Sequence, residues 1–302
     1  MKKILSVLLV LAALLAMATS AALAAEIALV TDVGTIDDES FNQACWEGVK
    51  AYAEANGKTY QYYQPGADST DERLNSIDLA VSEGAKVVVF DYNEKAFDAL
   101  KQEIPGLAGA VKVDVSSEES VKAAFAEMDK ILGGIDILIS NAGISIRKKF
   151  IETDFAQWKR VMGVNLDGMC LCIMEALKRM KQDKSKENPG VILCTASTNG
   201  MEGHPFYTDY NASKAAVINL VRSVALEHAP WIRCNCICPG YVLTPMQEAE
   251  YTQEMFDECN KGIPMQRHAD PAEVAALYAF LASDEAKYIT GQHIPLDGGE
   301  TA

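Results

Sequence analysis

From Glu26 onward the chain alternates short apolar runs with longer stretches whose apolar positions recur every three or four residues. The short runs are "IALVTD", "TYQYYQ", "AKVVVF", "GAVKVDV", "DILISNAG", "GVILCTAS", "RCNCICPG" and "HIPLDGG". Most are rich in β-branched residues and uninterrupted by charge, as strands buried on both faces are. The stretches between them have helical periodicity. They run from "SFNQACWEGVKAYAEANG", stopped at Gly57, through "STDERLNSIDLAVSEG", "NEKAFDALKQEI" and "SEESVKAAFAEMDKILGG". The long "DFAQWKRVMGVNLDGMCLCIMEALKRMKQ" follows, then "SKAAVINLVRSVALEHA" and "PAEVAALYAFLAS". Strand and helix in alternation predict an α/β fold, a doubly wound parallel sheet with helices on both faces. No Pro/Gly/Ser-rich linker divides the chain, and no repeat interrupts it.

The first residues break this pattern. "MKKILSVLLVLAALLAMATSAALAAE" has a basic start, an apolar stretch from Ile4 and an Ala22-Leu23-Ala24 ending. That three-part order is a secretory signal peptide over residues 1–24, and it implies export with no stable membrane span after cleavage. The apolar stretch is short for the ~20 residues a membrane anchor needs. Charge adds one exclusion. A formal net charge of −15 with no basic cluster would repel a phosphate backbone, so no nucleic-acid partner is expected. The eight cysteines pull against export. They sit mostly in apolar stretches, and in "RCNCIC" the alternation places three thiols on one face of a strand. Buried small hydrophobes fit this usage better than disulfides or a metal site, and suit a reducing compartment. The signal implies the periplasm or secretion; the thiols imply the cytoplasm.

Candidate chemistry centres on "YNASK", Tyr210 to Lys214, with Ser197 at the end of "ILCTAS". Residues four apart share a helix face, so the Lys214 ammonium can lie beside the Tyr210 phenol. A fixed cation favours phenolate, which lets a tyrosine exchange a proton with an alcohol oxygen near neutral pH. A serine at a strand's C-terminal end could hydrogen-bond the same oxygen. In a chain with eleven tyrosines the Tyr-Lys spacing alone says little. Its context says more.

From about residue 85 to 302 the chain resembles the short-chain dehydrogenase/reductase family. The likeness rests on an ordered set: "SNAG" at 140–143, Asn165 in "MGVNLDG", Ser197, "YNASK", "CPGYVLTP" at 238–245 and "YITGQHIPLDGG" at 288–299. The resemblance implies a Rossmann-like fold and NAD(P)-dependent hydride transfer between nicotinamide and a secondary alcohol or ketone. It implies Tyr210 as general acid/base, Lys214 as its partner and a ribose ligand, Ser197 as donor to the carbonyl oxygen, and Asn165 as holder of a water relay. Cofactor contacts would come from Asn141, Ala142, Gly143, Asp114, Val115, Pro239, Gly240, Val242 and Thr244. Asp91, ending "KVVVFD", would accept from the adenosine ribose hydroxyls and favour NAD over NADP. Ser140 stands where the family usually has an asparagine. A homo-tetramer or homo-dimer is implied, and "PAEVAALYAFLAS" suits either an interface or the core.

The pattern breaks upstream. The family's Gly-rich turn, "TGxxxGIG", is missing. The only candidate, "LVTDVGTIDDESFNQ", has one glycine and sets Asp32, Asp37 and Asp38 where a diphosphate would sit. Carboxylates there repel it. Residues 25–84 instead resemble the start of a basic-membrane-protein-type substrate-binding protein of ABC importers, carried by "IALVTDVGTIDDESFNQACWEGVKAYAEANG" and "SIDLAVSEGAKVVVF". The chain thus reads as a fusion in which that segment replaces the first strand-helix unit of the downstream family. "IALVTD" is expected in the central slot of the main sheet, with "TYQYYQ" extruded. Three functions remain open: an NAD-linked oxidoreductase of impaired cofactor affinity, an exported receptor fragment binding a nucleoside through Asp32 and Asn42, and an inactive chimera. The pocket wall is expected from residues 199–209 and 246–266, with Met201, His204, Phe206 and Met246 as candidates; His204 is as compatible with an exposed loop.

Overall fold

The computed structural model describes residues 27–30, 60–63, 86–98, 101, 107–244, 247 and 251–302. Every described strand pairing is parallel. The described strands fall into two units divided between Lys86 and Val87. The first contains β1 (Ile27–Val30) and β2 (Tyr60–Tyr63), paired from Ile27↔Tyr60 to Val30↔Tyr63.

The second unit holds the remaining described elements. Strands β3 (Val88–Asp91) and β4 (Gly109–Lys112) pair in register from Val88↔Gly109 to Asp91↔Lys112. Helix α1 (Glu118–Leu132) follows, and β5 (Ile137–Ser140) leads into the 3₁₀ turn Phe150–Glu152 and helix α2 (Phe155–Met162). A π-helical turn, Gly163–Gly168, joins α2 to α3 (Met169–Asp183). Then come β6 (Gly190–Thr195), α4 (Thr208–His228), β7 (Ile232–Pro239), α5 (Gln253–Gly262), α6 (Pro271–Ala282) and β8 (His293–Leu296). Strands β5, β6, β7 and β8 form one sheet in that order.

The helix ends follow local chemistry. Ser117 caps α1 by accepting from Ser120 N, and Gly133 closes it at φ +78°. Asp270 and Glu273 form a capping box at α6, with Pro271 in its first turn. Two cores flank the sheet. On one face Ile192, Cys194, Cys234, Cys236 and Cys238 pack with Val217 and Val221 of α4 and with Phe125 of α1. On the other, Val191, Leu193 and Ile237 pack against Tyr278 and Leu281 of α6. Helix α6 therefore turns Tyr278 and Leu281 to the core, while Phe280 is exposed. All seven described cysteines are free, and five of them are buried. The buried Arg233 donates to the carbonyls of Leu281 (2.9 Å) and Ser283 (3.0 Å), satisfying the C-terminal end of α6.

The expectation for "IALVTD" is corrected here. It pairs with "TYQYYQ" in a two-stranded sheet instead of entering the main sheet. Among the described residues no strand lies beside the outer edge of β5 or joins it to β3. Ile137 and Ile139 are 44% and 48% exposed, unlike the fully buried β6. An interior parallel strand is covered on both faces, whereas β5 is an edge strand of its described sheet. The physical reason for the correction is pairing: Ile27–Val30 satisfies one hydrogen-bonding edge on Tyr60–Tyr63, the next described strand along the chain, so that strand is paired and not extruded.

Two glycines set how closely the elements approach. A Cβ on Gly168 would come within 2.9 Å of Val115 O, so glycine lets the π turn meet the end of the β4 segment. A Cβ on Gly200 would lie 2.6 Å from the Lys214 carbonyl carbon and 2.8 Å from Ala215 N. Neither backbone can yield cheaply. Gly200→Ala is expected to lower stability by about 1–3 kcal/mol in urea unfolding. Gly203→Ala, where a Cβ meets nothing within 4 Å, should stay within about 0.5 kcal/mol of the parent; equal losses would contradict the close-approach account.

Candidate active site

Parallel strands present their C-terminal ends to one side of a sheet, and ligands bind there. Asp91 ends β3, Asn141 follows β5, Ser197 lies two residues beyond β6, and Pro239 ends β7. These residues share a cleft of about 740 Å³. Its lining includes Asp91, Asn141, Ala142, Gly143, Ser197, Tyr210, Lys214, Pro239, Gly240, Val242 and Thr244. The sequence-derived site is thereby brought together at one place, with three exceptions.

Asp114 and Val115 are off the cleft lining. Asp114 Oδ1 accepts from Ser116 N (3.0 Å) and Ser116 Oγ (2.6 Å), which turns the chain before α1, while Val115 packs against Gly168. Asn165 is also off the lining, buried one layer behind it. Its Oδ1 accepts Ile144 N (2.8 Å), and its Nδ2 donates to Ile144 O (2.9 Å) and Ser213 Oγ (3.1 Å). One amide proton and the amide oxygen thus brace the backbone after Gly143, and the other proton ties that brace to Ser213 of α4. A π turn inside a helix is rare and gathers at functional sites, and this one carries Asn165 to that brace.

Helix α4 carries the reactive pair. Lys214 is 2% exposed; its Nζ lies 5.4 Å from the Tyr210 ring centroid and donates to Thr195 O at 2.7 Å. Burial disfavours the ammonium and brings its pKa down to about 8. It remains mostly charged at neutral pH. Of the thiols below it, Cys194 and Cys236 are held above the ordinary thiol range by a hydrogen bond with the adjacent thiol, reinforced by burial, whereas the hydrogen bond with Cys236 draws Cys238 below it. Ser197 Oγ accepts from Asn199 N (3.2 Å), while its proton has only long acceptors, Asn199 Oδ1 (3.3 Å) and Pro239 O (3.4 Å), and so can turn to an incoming oxygen. Asp209, buried at the start of α4, accepts from Gln157 Nε2 (3.0 Å) and from Tyr210 N (2.9 Å), fixing the helix end that bears Tyr210.

The rest of the wall was less legible. Of the pocket candidates named from sequence, His204 lines the cleft, Met201 and Phe206 do not, and Met246 lies outside the described residues. Phe206 adopts φ +73°, a conformation that costs a non-glycine residue about 1 kcal/mol or more. Lys148 N holds its carbonyl at 2.9 Å, and Arg147 stacks 4.6 Å from its ring. Tyr207, Gln247 and Tyr251, within the expected wall ranges, and Tyr241, within "CPGYVLTP", also line the cleft; Thr195 and Tyr278 line it with no motif to announce them. Tyr241, Tyr251, Phe256 and His268 form a ring cluster with centroids 4.9–6.2 Å apart, which joins α5 to the cleft wall.

The donors and acceptors fit the two ends of a nicotinamide dinucleotide. Asp91 uses Oδ1 to accept Asn93 N (2.7 Å), and its second oxygen accepts no hydrogen bond among the described residues, which suits a ribose diol. Lys214, Tyr210 and Ser197 furnish the opposite end. No diphosphate-binding glycine turn occurs among the described residues. No group of three or more metal-ligating side chains occurs among them either.

A parallel sheet with a Tyr-Lys pair and a serine at its carboxyl end defines an oxidoreductase of the nicotinamide-dependent α/β class. The family model described as Enoyl-(Acyl carrier protein) reductase matches residues 78–301, and the chain belongs to the short-chain dehydrogenase/reductase family of NAD(P)-dependent oxidoreductases. It is 41% identical over 223 residues to meso-2,3-butanediol dehydrogenase of Serratia marcescens, covering 73% of this chain and 86% of that one. It is 34% identical to glucose 1-dehydrogenase of Gluconobacter oxydans, covering 72% and 84%. Among solved structures, a Brucella melitensis 3-ketoacyl-(acyl-carrier-protein) reductase complexed with NADH superposes with a TM-score of 0.69 at 31% identity, over 78% of this chain and 96% of that one.

The buried lysine makes a stability prediction. Between about pH 8 and the ordinary lysine value, the unfolded chain holds a proton that the folded chain has released, so stability should rise with pH across that window. Below it the full cost of burying the charge applies. Relative to Lys214→Met, the parent protein should gain about 3 kcal/mol between pH 7.5 and 10.5 in urea titrations of the cofactor-free protein. Parallel pH profiles for the two proteins would contradict the assignment.

Proposed function

We propose that the protein interconverts a small secondary alcohol and its ketone, prefers NAD(H) to NADP(H), and acts on substrates with a second oxygen beside the reacting one. The observation that carries the reading is the meeting of Ser197, Tyr210 and Lys214 in one cleft with Asp91 at its far end. NAD preference is supported by the open carboxylate oxygen of Asp91, which would accept from ribose hydroxyls and repel a 2′-phosphate. A second substrate oxygen is supported by two buried polar atoms on the lining that have no partner among the described residues, Ser145 Oγ and His204 Nε2. The names of two relatives, a butanediol and a glucose dehydrogenase, agree with such a substrate.

When bound, the nicotinamide would supply or take the hydride. The protein's own part is proton handling. Ser197 Oγ donates a hydrogen bond to the substrate oxygen and holds it beside Tyr210. In the ketone-reducing direction Tyr210 Oη gives its proton to that oxygen as charge develops there; in the alcohol-oxidising direction it takes the proton back. The Lys214 ammonium stabilises the phenolate left behind, and the Thr195 carbonyl holds that ammonium in place.

Tyr210→Phe should cut turnover by about 10²–10⁴ while leaving NADH affinity, read by fluorescence titration, within about twofold. NADPH should bind the parent protein at least about tenfold more weakly than NADH, and Asp91→Ser should shrink that ratio. Full activity in Tyr210→Phe, or stabilisation by adenosine or guanosine but not by NADH, would favour a receptor fragment over an enzyme.

The N-terminal segment has a reading of its own. We infer that residues 1–84 derive from an exported binding protein fused upstream of the dehydrogenase, with residues 1–24 removed on export. The family match starting at residue 78 supports this, as do the acids Asp32, Asp37 and Asp38 in place of a glycine turn. Intact mass spectrometry of protein recovered from the native host should give a chain beginning at Ala25; a mass that retains residues 1–24 would contradict export.

A further inference from the structure

Three polar groups at the cofactor end of the cleft form a chain that the proton-transfer steps above leave unused. Thr195 ends β6, and its Oγ1 donates to Asn141 Oδ1 at 2.6 Å. The same Oγ1 lies 2.5 Å from the hydroxyl of Tyr278, which α6 brings up from the opposite core. A threonine hydroxyl has one proton to give and two lone pairs to receive with. Its proton is given to Asn141, so the contact with Tyr278 is made by the phenol's proton. The chain therefore has one direction, from Tyr278 Oη to Thr195 Oγ1 to Asn141 Oδ1.

The phenol is suited to the donor role. Tyr278 is 8% exposed, and burial pushes its ionisation well above the usual range, so the proton stays on across the physiological pH span. The consequence falls on Asn141. A carboxamide whose oxygen is tied on one side turns its nitrogen to the other. Asn141 Nδ2 donates to nothing among the described residues; its side chain is exposed, and it lines the cleft with Thr195, Tyr278 and Asp91. A tied oxygen and an open amide make a one-sided donor. The ligand proposed for this cleft is rich in acceptors, its ribose and diphosphate oxygens, and the glycine turn that would supply donors is absent from the described residues.

We infer that Tyr278 and Thr195 are positioning residues that hold Asn141 as a hydrogen-bond donor toward the oxygens of the bound nicotinamide dinucleotide. This rests on the reading of the cleft as a dinucleotide site. It adds to that reading a reason for two hydroxyls that no motif requires: they set which way one amide faces.

The test has an unliganded arm and a liganded one. In cofactor-free ¹⁵N-labelled protein, with the Asn141 side-chain amide assigned through Asn141→Asp, Tyr278→Phe and Thr195→Val should each shift that resonance and speed its hydrogen exchange. Thr195→Ser, which retains the hydroxyl, should preserve both. In fluorescence titrations with NADH, the Phe and Val variants should each raise Kd about 5- to 30-fold, and the double variant should do little more than either alone, because both break one chain. Thr195→Ser should rescue affinity. An Asn141 amide indifferent to both variants, or a Tyr278→Phe protein that binds NADH as the parent does, overturns the positioning role and leaves the cofactor reading intact. A parent protein with no saturable NADH signal at millimolar concentration overturns the cofactor reading, and this role with it.

Discussion

A single buried ammonium organises this molecule. Lys214 sits under α4 with almost no solvent access, tied to the carbonyl of Thr195 and facing the Tyr210 ring. An unpaired charge in such a place is expensive, and no carboxylate lies among the groups that shift its ionisation. The charge persists because backbone and tyrosine surround it at close range. Each nearby device acts to keep that arrangement: glycine at 200 lets the turn after β6 touch the backbone of α4, Asp209 anchors the helix start, and Asn165 braces the loop beneath Gly143. Catalytic geometry and local stability are therefore opposed at one residue, as functional sites often require.

The sheet shows the opposite situation, a constraint left unmet. A doubly wound fold covers every interior strand, yet the outer edge of β5 has no described neighbour and its isoleucines are half-exposed. The strand that sequence order would supply is instead paired with β2. The described lining of the cleft comes from the ends of β3, β5, β6 and β7, with Tyr210 and Lys214 from α4 and Tyr278 from α6.

How much of this could be read from the chain depends on how local each signal is. Apart from α5 and the π turn, the strands and helices from Val87 onward were legible because buried parallel strands and amphipathic helices leave a period in the sequence, and caps such as Ser117, Asp154 and Asp270 mark their starts. Ser197, Tyr210 and Lys214 were legible because spacing on one helix and one strand end nearly fixes their geometry. Asp114 and Val115 were named by analogy, and the structure gives them turn-forming and packing roles beside the cleft. The pairing of "IALVTD" was misjudged because the sequence suits either neighbour, and a pattern of apolar residues does not say which edge a strand will use. Tyr207 and Tyr251 were caught only within broad expected ranges, and Thr195 and Tyr278 left no signal. Their meaning comes from being carried to one place by elements far apart in the chain, as the contact between Thr195 and Tyr278 illustrates.

The central claim is that the phenol, ammonium and serine hydroxyl form a working hydride-transfer site in this chain. Single-turnover reaction of the purified protein with a short vicinal dione and NADH carrying deuterium at nicotinamide C4 tests it directly, with the product read by mass spectrometry and NMR. The account predicts deuterium on the carbinol carbon of the hydroxyketone and none at other positions. An unreduced dione after prolonged incubation with NADH shown to be bound, or a reduced product without the label, would contradict it.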